Sequence, residues 1–118
     1  MNGTITADAG KIKLEYLWPK IKSLVCRNGG FIDFGAPSDT NPQGTIINPK
    51  ATIDIDGTSK IKVQTGLTLT IRRLIINGSD VRPGKYHKNS PEVAGRLDTF
   101  GNGFLQVTGM PGCTMLIK

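Results

Sequence analysis

From Leu67 to Gly78 the chain reads Leu-Thr-Leu-Thr-Ile-Arg-Arg-Leu-Ile-Ile-Asn-Gly. Leu67, Leu69 and Ile71 alternate with Thr68, Thr70 and Arg72, which is the period-2 pattern of a strand with one buried face. Leu74-Ile75-Ile76 resumes the apolar run after Arg72-Arg73, and Asn77-Gly78 ends it with residues that accept positive φ. A chain organised around this stretch folds as sheet.

Similar short strands recur on both sides. Thr4-Ile5-Thr6 precedes a turn at Asp8-Ala9-Gly10, and Lys11–Leu17 alternates with Ile12, Leu14 and Tyr16 on one face. Trp18–Val25 fits helix or strand, because Ile21, Leu24 and Val25 have helical spacing while Pro19 and the β-branched residues favour strand; strand is the preferred reading. Phe31–Phe34, Thr45–Ile47, Ala51–Ile55 and Lys60–Gln64 follow, divided by turn residues such as Asn28-Gly29-Gly30 and Asp56-Gly57. Residues 36–44 are a loop by composition, too long for a tight hairpin. Residues 87–99 suggest a connection containing one helical turn, before strands at Gly103–Thr108 and Cys113–Ile117. Fifteen Gly and seven Pro with few aromatics fit turn-dense β structure. A 37% apolar content points to an elongated body with much surface in water.

Registering the strands exposes a repeat of 21 residues. Ile32, Ile53 and Leu74 form one column, Phe34, Ile55 and Ile76 a second, and Val25, Ile46 and Leu67 a third. Each of the three strands that carry the first two columns is followed within one or two places by a glycine, at Gly35, Gly57 and Gly78. Fixed periods of this size mark solenoids, in which each coil buries its inward residues on the next. The expectation is an all-β single domain over 1–118: a short parallel β-helix of about 21 residues per coil. Repeating coils would span about 1–78, with an irregular C-terminal cap over 79–118. A β-sandwich is the alternative, since strands 8–12 residues apart give chance matches at twice that spacing.

The segment Leu67–Ile71, Leu74–Ile76, Asn77-Gly78 and Pro83-Gly84-Lys85-Tyr86, with Gly101-Asn102-Gly103-Phe104-Leu105-Gln106-Val107 after it, resembles the late coils of secreted bacterial β-solenoid proteins of the autotransporter-passenger type. Phe104 is bulkier than the small residue that pattern carries. The likeness covers roughly residues 45–108. It implies a right-handed β-helix and an extracellular or cell-surface parent protein, of which this chain would be the C-terminal coils. It implies no catalytic residue.

Chemistry is sparse. Fifteen Lys and Arg against nine Asp and Glu give a net charge of +6, which attracts polyanions without choosing among them. His87 is the only histidine and has no nucleophile motif or metal-ligand spacing around it. The Gly29-Gly30 pair joins strand to strand, which is the wrong context for a phosphate loop. No catalytic set, metal or cofactor is expected, and the chain reads as a non-enzymatic module.

Asp33 and Asp54, 21 apart, would stack on an outer face, yet two carboxylates are too few for Ca²⁺. Cys26 and Cys113 allow either a long-range disulfide or two free thiols. No apolar run approaches membrane-spanning length, and Met1–Thr4 does not open a signal peptide.

Two partner classes remain. Open coil ends carry unpaired backbone groups, so self-association is expected. The second is an acidic polysaccharide, held by Arg72, Arg82, Lys85 and Lys88 with Tyr86 beside them, or by Trp18 acting as a sugar platform. Nucleic acid is disfavoured, because sequence-neutral strand binding uses several interleaved aromatics and this chain has seven in all, mostly at core positions. Polysaccharide lyase chemistry would need a catalytic set that is missing.

Overall fold

The computed structural model describes residues 3–40, 42, 44–93, 97–99 and 103–109. The fold is all-β, with one short 3₁₀ turn at Pro91–Val93 and no α-helix among the described residues. The strands are β1 (Gly3–Asp8), β2 (Lys11–Leu14), β3 (Leu17–Trp18), β4 (Ile21–Arg27), β5 (Phe31–Phe34), β6 (Ile46–Ile47) and β7 (Thr52–Ile55). They continue as β8 (Lys60–Val63), β9 (Thr68–Ile71), β10 (Arg73–Ile76), β11 (Ser79–Asp80), β12 (Gly84–Tyr86), β13 (Leu97–Thr99) and β14 (Phe104–Val107). Of Trp18–Val25, Ile21–Val25 is strand as preferred, while Trp18 ends β3 and Pro19-Lys20 form a turn between the two strands. The expected strand at 113–117 lies outside the described residues.

Four small sheets form, in the orders β1-β4-β7-β10-β11, β13-β8-β5-β2, β12-β14-β9 and β3-β6. Pairing is parallel except at β10–β11 and β12–β14, so two of the sheets are mixed. Neighbours in the first two sheets are mostly three strands apart in the chain. The chain thus visits other sheets before returning to lay the next strand beside the last.

Alternation explains what each strand buries. Leu24, Ile53 and Leu74 are Cα partners across β4, β7 and β10, and all are essentially fully buried. Ile32 and Ile61 do the same across β5 and β8, as do Phe34 and Val63. Leu69 and Leu105 join β9 to β14. One apolar cluster runs through all these positions. The body measures 46 × 30 × 30 Å along its principal axes, in keeping with the elongated form expected from its low apolar content.

The regular 21-residue columns do not survive. Ile53–Leu74 and Ile55–Ile76 are true partners at that interval. Ile32 and Phe34, however, belong to another sheet, where their partners are Ile12 with Ile61 and Leu14 with Val63. Val25 faces Asp54 and Ile46 faces Leu17, so the third column is absent as well. Successive partners are 19 residues apart at Ile5–Leu24, 29 at Leu24–Ile53, 21 at Ile53–Leu74 and 36 at Leu69–Leu105.

Loops cause the irregularity. Residues 36–44 lengthen one circuit, and their neck is pinned by Gly35, whose carbonyl accepts both the N–H and the hydroxyl of buried Thr45 at 3.1 and 3.0 Å. The segment after β10 lengthens the next circuit. Beyond it, β13 and β14 pair in parallel with β8 and β9, while β11 and β12 run antiparallel. The β3-β6 and β9-β14 sheets stay separate, and a cleft of about 260 Å³ lies between β6 and β9, bordered by Ile47, Pro49 and Leu69.

Candidate binding groove

Asn77 and Gly78 both have positive φ, 51° and 84°. They form the two-residue turn that folds β11 back on β10, with Ile76 opposite Ser79 and Ile75 opposite Asp80. The return brings Asp80 to Arg73. Nε and one terminal nitrogen of Arg73 donate to the two Asp80 oxygens at 3.0 and 2.8 Å, a bidentate fork. These hydrogen bonds, and then the charge they carry, hold the Asp80 carboxyl below its usual range and raise the Arg73 guanidinium.

Arg72 sits at the bend between β9 and β10, where its N–H and that of Arg73 both donate to the carbonyl of Ala51. Its own carbonyl accepts the N–H of Gly109 at 2.8 Å. Gly109 has φ +83°, and a Cβ there would stand 2.6 Å from Pro83 Cγ. This close approach shapes a groove of about 510 Å³ lined by Arg72, Arg73, Val81, Arg82, Pro83 and Gly109, with Asp80 at its side. Among the described residues neither Arg72 nor Arg82 has a carboxylate partner. The groove therefore presents two guanidinium groups beside an apolar floor of Val81 and Pro83.

The six residues singled out from the sequence separate here. Arg72 and Arg82 line the groove. Tyr86 is buried, and its hydroxyl donates to the Arg82 carbonyl, so it braces the groove from below rather than offering a stacking face. Lys85 places its ammonium 4.7 Å from the centre of the Phe104 ring, which His87 meets edge-on at 6.0 Å. Lys88 is exposed in the turn after β12. Trp18 is half-buried on β3, in a different sheet, with its indole N–H donating to the Glu15 carbonyl. Sequence reading missed Asp80, Val81, Pro83 and Gly109 as groove residues. The Asn77-Gly78 turn was the signal that could have placed Asp80 beside Arg73.

The stacked pair Asp33–Asp54 is overturned. Asp33 lies between Lys13 and Lys62 in register, whereas Asp54 lies between Val25 and Ile75 in another sheet. A different acidic pair organises the corner that follows the first sheet. Asp8 accepts from Asn28 Nδ2 at 2.8 Å and from Arg27 Nε at 3.1 Å, and both bonds hold its carboxyl down, Asn28 foremost. Asp56 accepts from the Asn28 N–H, from the N–H and hydroxyl of Thr58, and from the Ser59 hydroxyl. These donors hold it far below the ordinary carboxylate range.

Cys26 is a buried free thiol, and Cys113 lies outside the described residues. Among the described residues no group of three His, Cys, Asp or Glu could hold a metal ion, and no helix is long and apolar enough to cross a membrane. No protein-family model matches this chain, and no solved structure matches it.

Proposed function

We propose that this chain is a non-enzymatic structural module of a bacterial cell-surface or secreted protein, built as a short, irregular, right-handed parallel β-helix. The observation that carries the reading is the difference between its two ends. Among the described residues β1, β2 and β3 each have a single strand partner, which leaves an unpaired edge on each of three sheets. Tyr16 and Leu17, 55% and 62% exposed, stand at the β3 edge. At the other end two sheets finish in antiparallel strands, β11 and β12. An open end opposite a partly capped one suits stacking of further parallel strands on the open side. Right-handedness follows the strong preference of parallel crossovers, and the surface location rests on the resemblance to autotransporter-type solenoids.

Light scattering over a concentration series tests the open end. The expected result is concentration-dependent assembly that Leu17→Lys weakens. A clean monomer at high concentration overturns it.

A second reading is favoured by the guanidinium groups of Arg72 and Arg82, which have no carboxylate partner among the described residues: the groove binds a carboxylated sugar. Arg82→Ala should weaken binding to an acidic-glycan array, and an array with no hit removes this reading.

A further inference from the structure

We infer that the outer face of β2, β5 and β8 is a docking track for a linear anionic polysaccharide, separate from the arginine groove. Ile12, Ile32 and Ile61 form one inward rung of this sheet, and Leu14, Phe34 and Val63 the next. The alternate residues therefore face outward. Register aligns them as Lys11–Phe31–Lys60 and Lys13–Asp33–Lys62. Lys11, Lys13 and Lys60 are exposed, and Phe31, Asp33 and Lys62 half-buried.

Four ammonium-bearing residues thus occupy the corners of a rectangle. Its sides are about 10 Å across the strands and about 7 Å along them, from ordinary strand spacing and rise. One aromatic ring and one carboxylate lie between the corners. Lysines 49 residues apart in sequence, Lys11 and Lys60, meet on this face only through the parallel pairing.

The composition of the face selects the partner. Lys62 lies in register between Asp33 and Asp98 of β13, so the exposed Lys11, Lys13 and Lys60 are the groups that make this face complementary to a polyanion. Asp33 is an acceptor whose Oδ1 already takes a hydrogen bond from Gln64 Nε2 at 3.0 Å, so it suits a chain that also carries hydroxyl donors. A deoxyribose phosphodiester chain brings charge without those hydroxyls. The single ring, Phe31, is half-buried and has the Lys11 ammonium 5.2 Å from its centre. It leaves no series of free faces on which bases could stack. A flat face with mixed charge and hydroxyl-accepting groups fits an acidic sugar chain.

The test uses polygalacturonate as probe, with dextran and duplex DNA beside it, in affinity electrophoresis at low and high salt. Lys11→Gln with Lys60→Gln removes two corners, while Lys20→Gln with Lys22→Gln removes the same charge from exposed lysines off this face. The expected result is salt-sensitive retardation by polygalacturonate. The face pair should weaken it roughly fivefold or more, as two exposed charge contacts permit, and the control pair should leave it nearly unchanged. Equal loss in both pairs would reduce the effect to net charge and overturn the proposal. So would loss of binding in Arg82→Ala with the face pair intact, which would locate the sugar in the groove. Tighter retardation by duplex DNA, with the same sensitivity to the face pair, overturns the choice of partner.

Discussion

The backbone N–H of Asn28 donates to the carboxylate of Asp56 at 2.8 Å, tying the turn after β4 to the turn after β7. Asn28 has φ +55°, and the next N–H, of Gly29, donates to Thr58 Oγ1 at 2.9 Å. One aspartate thus gathers donors from two turns that are 28 residues apart. The corner is held by hydrogen bonds to a charged group rather than by buried apolar surface.

That arrangement makes stability sensitive to acid. Asp56, Asp8 and Asp80 are all held below the ordinary carboxylate value in the folded protein, Asp56 the furthest. In the unfolded chain an aspartate titrates near pH 3.9. The stabilisation is therefore fully present above about pH 4 and is lost as pH falls through the folded values below that. Thermal melts should give a midpoint nearly constant from neutral to about pH 5 and falling steeply below pH 4. Asp56→Asn should lower the midpoint at neutral pH and flatten the acid slope. An unchanged slope in that variant would remove Asp56 from the account.

Cys26 faces inward from β4 opposite Ile55, and burial pushes its thiol up to about 12, with the nearby Asp56 charge adding to the effect. The thiolate is the reactive form. In a Cys113→Ser background, the folded protein should resist a thiol-specific reagent at pH 8 and react promptly once unfolded in denaturant. Linkage adds a second readout. The unfolded thiol ionises near pH 8.5, so this group's contribution is intact below that value and declines as pH rises toward 12.

Ile53 is fully buried between its partners Leu24 and Leu74. Ile53→Ala removes three carbons from the centre of that ladder and should cost about 2–5 kcal/mol by denaturant unfolding. Ile46, 37% exposed on the two-residue β6, provides the comparison. Ile46→Ala should cost under about 1 kcal/mol, because much of its surface stays in water in the folded state. Equal costs would mean that β7 is not at the centre of the packing.

Local chemistry was legible in the sequence where neighbours in the chain decide it. Period-2 alternation placed β2, β5, β7, β8, β9 and β14, and Asn77-Gly78 marked the end of β10 without showing that β11 folds back on it. Sheet membership was not legible. Ile32-Asp33-Phe34 and Ile53-Asp54-Ile55 carry the same apolar–polar–apolar pattern, so a 21-residue shift aligns them although they lie in different sheets. The alternation tells which way a side chain points and leaves open which strand it meets. Loop lengths decide the latter, and the circuits of 19, 29 and 36 residues have no shared period. The groove was half legible for the same reason: Arg72 and Arg82 stand out as charges, but Gly109 reaches Arg72 only through the pairing of β14 with β9. The lysine face was hidden altogether, since its members belong to β2 and β8.

Gly30 marks a close approach that a single methyl group tests. A Cβ there would lie 1.9 Å from the carbonyl oxygen of Ala7 and 2.8 Å from its carbon, both backbone atoms of β1. The surrounding hydrogen bonds leave little slack: the Arg27 carbonyl accepts the N–H groups of both Ala9 and Gly30, and the Gly30 carbonyl accepts the N–H of Lys60. Gly29, one residue earlier, has φ +78° and open space around its Cβ position. The two glycines are therefore required for different reasons, and substitutions separate them. Gly29→Asn should be nearly neutral, because Asn tolerates the left-handed region. Gly30→Ala should destabilise by about 1–3 kcal/mol or more, as overpacking against fixed backbone does, and should speed hydrogen exchange in β1 first. Tolerance of Gly30→Ala with β1 exchange unchanged would show that β1 does not pack against this turn.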